Sequence, residues 1–120
     1  MAKFLFTLWE DQGNWAGASQ EDMQKQYQAY QDLTDEMRSS GVYVAGEGVK
    51  PVETARTVRV RDGEVTSTDG PFIETKEQLG GFYVIECQDE DEAIRWAAKV
   101  PAAATGAIDV RPVIDYPPEG

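Results

Sequence analysis

The chain has 120 residues, 41% of them hydrophobic and 28% charged, with 22 acidic against 11 basic side chains, a formal charge of -11 and no histidine. That length suits one domain with one core, while the acidic excess repels nucleic-acid phosphates and anionic membrane surfaces. The missing histidine removes the usual general base near neutral pH and the commonest metal ligand.

Cys87 is the single cysteine, so no intrachain disulfide can form. There is neither an apolar run of ~20 residues nor a signal-peptide pattern at the start. The expectation is a soluble, cytoplasmic protein without metal or cofactor.

Residues 3–9 are short, aromatic and apolar. Phe4, Phe6 and Leu8 alternate with Leu5 and Trp9, which predicts a strand buried on both faces. A polar loop over 10–18 follows and holds Trp15, which is expected to pin it to the body; the alternative is that Trp15 gates a pocket. Ser19 then reads as an N-cap, with Glu21 and Asp22 in the first turn, for a helix running to about Ser40 and closing at Gly41. Its apolar positions, Met23, Tyr27, Tyr30, Leu33 and Met37, fit helical spacing and read as core. Residues 42–49 predict a second strand. Gly46 and Gly48 flank Glu47 there and are expected to mark a bulge; the alternative is a close backbone approach to a ligand at which Glu47 is aimed.

Residues 54–69 predict a hairpin around the two-residue turn Asp62-Gly63. The turn sets the register: Arg61 faces Glu64, Val60 faces Val65, Arg59 faces Thr66, and Arg56 faces Asp69. Val58, Val60 and Val65 then share one side, with Arg56 and Asp69 at its base. Residues 73–79 predict a short helical turn closed by Gly80, and 81–87 an apolar strand. Asp89 caps a second helix with Glu92 three residues on, a buried stripe of Ala93, Ile94, Trp96, Ala97 and Val100, and a stop at Pro101. The acidic cluster 89–92 reads as a helix start rather than a metal site. Residues 106–113 predict the last strand, at a sheet edge because of Pro112. A single domain over 1–115 and a loose tail over 116–120 complete the chain.

Apart from the hairpin, the order strand, helix, strand, strand, helix, strand predicts an α+β fold: a ferredoxin-like split βαβ with an inserted β-hairpin. Two helices cover only one face of such a sheet, yet the first strand and residues 81–87 are apolar on both. The 54–69 hairpin can shield part of the other, but a second copy packing sheet to sheet is the economical cover, so the expectation is a homodimer of the dimeric α/β barrel kind.

The run Asp69-Gly70-Pro71-Phe72, continued by Glu74-Thr75-Lys76-Glu77-Gln78-Leu79-Gly80-Gly81-Phe82-Tyr83, closely resembles the DGPF proteins of the YCII-related (YciI-like) family. Gly46-Glu47-Gly48, Thr57-Val58-Arg59 and Val110-Arg111-Pro112 extend the likeness over most of the chain. The resemblance implies a bacterial, cytoplasmic ferredoxin-like domain that pairs as a dimeric α/β barrel, in a family without a settled activity. A histidine-aspartate pair has been proposed for one branch. Only its aspartate half carries over, onto Asp69, because this chain has no histidine. DGPF proteins are also often encoded near alternative sigma factors, which implies a regulatory setting as one alternative.

Asp69 is the candidate base or ligand anchor, but an arginine beside it keeps the carboxylate charged and weakens it as a base. The preferred reading is structural, with Asp69 closing the hairpin against Arg56. Lys50, Arg56, Arg59 and Arg61 against Glu53 make a locally basic segment that suits a small anionic ligand or, more simply, cross-strand ion pairs. Cys87 lacks a histidine to activate it and reads as a core thiol. The residues assigned to ligand binding are Asp69, Arg56, Phe72, Glu47, Arg59 and Lys76. The function expected is a homodimeric domain that binds a small molecule near the DGPF turn. The alternatives are a small enzyme using carboxylates and tyrosines for proton transfer and a regulatory interaction protein.

Overall fold

The computed structural model describes residues 1–71 and 75–116. Phe72, Ile73 and Glu74 of the signature run and most of the expected tail lie outside the described residues. The elements are β1 (Ala2–Asp11), α1 (Gln20–Ser39), β2 (Tyr43–Gly48), β3 (Arg56–Arg61), β4 (Glu64–Asp69), β5 (Glu77–Cys87), α2 (Glu90–Ala97), α3 (Ala102–Thr105) and β6 (Ala107–Pro112), with 3-10 turns at Gln12–Trp15 and Val52–Thr54. Four strands form an antiparallel sheet in the order β2-β5-β1-β6, and β3 pairs with β4 in a separate two-stranded sheet. The chain is α+β, and the four-stranded order is compatible with a ferredoxin-like fold.

Alternation along β1 and β5 sends Phe4, Phe6, Leu8, Tyr83, Ile85 and Cys87 to the helix side, where they are buried with Leu33 and Met37 of α1, and with Ala93, Ala97 and Val100 from α2 onward. β6 carries Pro112 and lies at an edge, where a strand can do without one backbone donor.

Both helices start where the sequence placed their caps. The Ser19 hydroxyl accepts from the Asp22 amide at 3.0 Å, and α1 ends before Gly41, whose φ of 77° is the left-handed conformation glycine tolerates. The Asp89 carboxylate accepts from the Glu92 amide at 2.9 Å. Glu92 in return accepts from the Gln88 amide and from the Trp96 indole. Removing the first of these bonds should show directly: Asp89→Ala is expected to cost about 1 kcal/mol, read as a lowered urea midpoint at unchanged slope.

Three local expectations need correction. Residues 77–79 are strand, not helical turn, because β1 runs on past Trp9 and pairs Trp9 with Leu79, Glu10 with Gln78 and Asp11 with Glu77. Gly80 therefore sits at a register shift opposite Leu8 and Trp9, inside the strand it was expected to precede. In β2 the irregularity falls between Tyr43 and Ala45, and Gly46, Glu47 and Gly48 pair in step with Tyr83, Phe82 and Gly81. The glycine at 46 answers a different need: the Tyr83 ring lies against it, and a Cβ there would stand 2.7 Å from a ring carbon. Finally, Ile94 is 52% exposed, because Ala93, Ala97 and Val100 form the inward line of that helical segment and Ile94 points about 100° away from Ala93.

The hairpin pairs Arg56 with Asp69, Val58 with Ser67, Val60 with Val65 and Arg61 with Glu64, the register that a two-residue Asp62-Gly63 turn dictates. Both turn residues have positive φ, 51° and 78°. The base is tied by the Gly70 amide donating to the Ala55 carbonyl and by the Thr57 hydroxyl donating to the Gly70 carbonyl. The two strands pack mainly on each other, and every residue of β4 is exposed. The radius of gyration, 16.7 Å, exceeds the roughly 14 Å of a compact domain this size, as a projecting arm requires.

Candidate functional site

α1 rests on the sheet through its C-terminal half only. Leu33 and Met37 are buried, but Met23 and Tyr27 are 56% and 66% exposed although they continue the same stripe. Between that raised half of the helix and the β2 and β5 edge opens a cleft of about 690 Å³. Its floor is Leu8, Tyr83 and the glycine backbone at 46, 48, 80 and 81. Its walls are Tyr30, Thr34 and Arg38 of α1, Tyr43 of β2, and Glu10 and Trp15 at the end of β1.

A chain of hydrogen bonds fixes the centre. The Thr34 hydroxyl donates to the Tyr30 carbonyl at 2.9 Å, so the Tyr83 hydroxyl, 3.1 Å from Thr34, donates to Thr34 in turn. Tyr43 meets the Tyr83 ring edge to face at 6.4 Å, and the Arg38 guanidinium lies 4.7 Å from the Tyr43 ring centre. Glu10 is held from below by the Thr105 hydroxyl. Burial, with the nearby Glu10 charge, pushes the Tyr30 phenol up to about 12, and burial raises Tyr83 as well. Both phenols therefore stay protonated at neutral pH. They are poor bases, and Tyr83, its proton given to Thr34, offers a ligand only its oxygen lone pair.

The residues chosen from sequence are spread over three places. Glu47 lines the cleft rim. Arg56 and Asp69 form an ion pair of 3.1 Å at the hairpin base, with side chains 67% and 87% exposed, and do not line the cleft. Arg59 lies on the exposed hairpin arm. Lys76 approaches at 3.8 Å the carboxylate of Asp11, the residue that caps the first 3-10 turn. Phe72 lies outside the described residues. Trp15, expected to pin its loop, is half-buried in the cleft wall. The cleft tyrosines were missed because Tyr27, Tyr30 and Tyr83 fit the stripes of a filled core; the polar Thr34 at Tyr30 plus four was the available signal.

Cys87 is buried, its thiol donating to the Asp89 carbonyl at 3.4 Å, and burial together with the Glu92 charge raises its pKa, which disfavours a reactive thiolate. Among the described residues no group of three or more His, Cys, Asp or Glu is placed to hold a metal ion, and no helix is long and apolar enough to cross a membrane.

The Tyr30 environment has a measurable consequence. Below pH ~10 the phenol is protonated in folded and unfolded chains alike; above it the unfolded chain loses the proton first, so stability falls as pH rises from 10 toward 12. Discounted for solvent screening at this partly exposed phenol, about 1 to 2 kcal/mol should be lost over that window, and Tyr30→Phe should lose less, as read by urea midpoints across the alkaline range.

A curated relative, an uncharacterized protein of Rhizobium meliloti (strain 1021), is 47% identical over 70 residues, covering 57% of this chain and 56% of that protein. The match thus spans little more than half of the relative's own length. The profile of the YCII-related domain matches residues 7–117, which include the whole of the cleft and the hairpin, and the chain therefore belongs to the YCII-related domain family.

Proposed function

We propose that this chain is a homodimeric small-molecule-binding domain whose ligand seat is the cleft under the raised half of α1. The observation that carries the reading is the cleft itself. At about 690 Å³ it falls within the usual range of ligand pockets, and it combines aromatic walls with a few fixed polar groups. Tyrosines held as neutral phenols favour binding over proton abstraction. Glu47 is the residue shared with the site expected from sequence; the Arg56 and Asp69 pair serves as the hairpin's joint.

The dimer rests on a different surface. The sheet face away from the helices carries Leu5, Trp9, Phe82 and Val84, ringed by Lys3, Glu86, Asp109 and Arg111, and no helix among the described residues covers it. An apolar centre with a charged rim is the composition of a protein interface.

A thermal-shift screen of small metabolites tests the ligand seat, run on wild type, Tyr27→Ala and Asp69→Asn. Tyr27 is exposed, so its truncation should leave folding intact while weakening any ligand held in the cleft. Hits kept in Asp69→Asn and lost in Tyr27→Ala are expected. The opposite pattern would move the seat to the hairpin base, and a screen without hits would remove the binding reading.

A further inference from the structure

We infer that the cleft selects organic cations, an ammonium group carried on an apolar or aromatic body. This rests on the cleft being a ligand seat and adds the sign and shape of what enters it.

Charge sets the sign. Among the described residues two carboxylates, Glu10 and Glu47, belong to the lining, against one cation, Arg38. Arg38 keeps its charge but lies over the Tyr43 ring in the cleft wall, so the lining still carries one negative charge in excess. Glu10 is half-buried, and the Thr105 hydroxyl fixes its direction, so its charge is less screened than that of a surface carboxylate. An anionic ligand would face both carboxylates inside a protein whose formal charge is -11.

Aromatic rings set the shape. Trp15, Tyr27 and Tyr30 line the cleft together with the Tyr43 and Tyr83 pair. The ring quadrupole attracts a cation to its face, and an alkylated ammonium is cheap to strip of water, so rings beside a carboxylate recognise it better than a carboxylate alone. The chain itself gives the example within the cleft wall, where Tyr43 holds a guanidinium at 4.7 Å. Inorganic cations fit poorly here, since tightly hydrated ions gain little from phenol rings and need more oxygen ligands than two separated carboxylates supply.

Three matched probes test the inference: benzyltrimethylammonium, benzyl alcohol and benzoate. Each is titrated while the backbone amides of Tyr30, Thr34 and Gly46 are followed by NMR. Benzyltrimethylammonium should bind at least about tenfold more tightly than benzoate, equivalent to about 1.4 kcal/mol, and added salt should weaken it alone. In Glu10→Gln the preference should shrink to within about threefold, or ~0.65 kcal/mol. Glu47→Gln, on the exposed rim, gives the same readout if Glu10→Gln does not fold. Benzoate binding as tightly as the cation, or a preference unchanged in both variants, overturns the charge selection. If benzyl alcohol or benzoate moves those amides, the cleft still stands as a ligand seat. If none of the three moves them at about 10 mM, where even millimolar affinities register, both readings fall.

Discussion

Val84→Lys is expected to leave the chain folded but convert the proposed dimer to a monomer, as read by light scattering after gel filtration with circular dichroism as the folding control. Val84 lies at the centre of the helix-free sheet face, paired across the ladder with Leu5, and Phe82 and Trp9 lie along the same face. Removing these side chains from water is the main gain available on association, about 25 cal/mol per Å² of apolar surface. An ammonium introduced at that centre would be buried without a partner, at a cost of several kcal/mol, enough to shift association by orders of magnitude. In the isolated chain the same lysine points to solvent, so the monomer should keep its thermal midpoint within a few degrees. Arg111→Ala, on the rim, should weaken the dimer far less. A monomeric wild type at micromolar concentration would end the dimer proposal, and a dimeric Val84→Lys would locate the interface elsewhere.

What the sequence disclosed follows from how local each feature is. The hairpin register is legible because Asp62-Gly63 is a two-residue turn, and such a turn leaves no freedom in the pairing behind it. The caps at Ser19 and Asp89 are legible for the same reason, each being a bond within three residues. The double glycine misleads because Gly80 as a helix stop and Gly80 as a bulge leave the same local trace; what decides between them is β1, some seventy residues away. The cleft is harder still. Periodicity shows that Met23 and Tyr27 share a stripe with Leu33 and Met37, but not that the helix lifts from the sheet before reaching them. A stripe predicts which face turns inward, and contact depends on where the helix axis lies over the sheet. The signature aspartate drew attention to the hairpin base, whereas the concave surface formed around residues whose types are those of an ordinary core.

The second large effect should come from one methyl group. Gly106→Ala is expected to lower the thermal midpoint by about 10 °C or more, corresponding to roughly 3 kcal/mol, whereas Gly48→Ala should change it by no more than a few degrees. Gly106 joins α3 to β6 where that strand begins to pair with β1, Ala107 lying opposite Trp9. A Cβ at 106 would stand 2.0 Å from the Trp9 carbonyl oxygen and 3.0 Å from the Glu10 Cα. Both are backbone atoms of a central strand, so no side chain can swing aside, and relief must come from opening the first pairs of the β1 and β6 ladder. At Gly48 the nearest atom to an added Cβ is the Gly80 carbonyl oxygen at 3.8 Å, an ordinary contact, and the added methyl also restricts the unfolded chain. The displaced backbone in Gly106→Ala is the segment that carries Glu10, and Thr105, which holds the Glu10 carboxylate, precedes the glycine directly. Loss of stability and loss of cleft binding should therefore appear together in this variant, while Gly48→Ala keeps its fold. A Gly106→Ala protein as stable as wild type would mean that β6 can shift along β1 without cost, contrary to the register seen here.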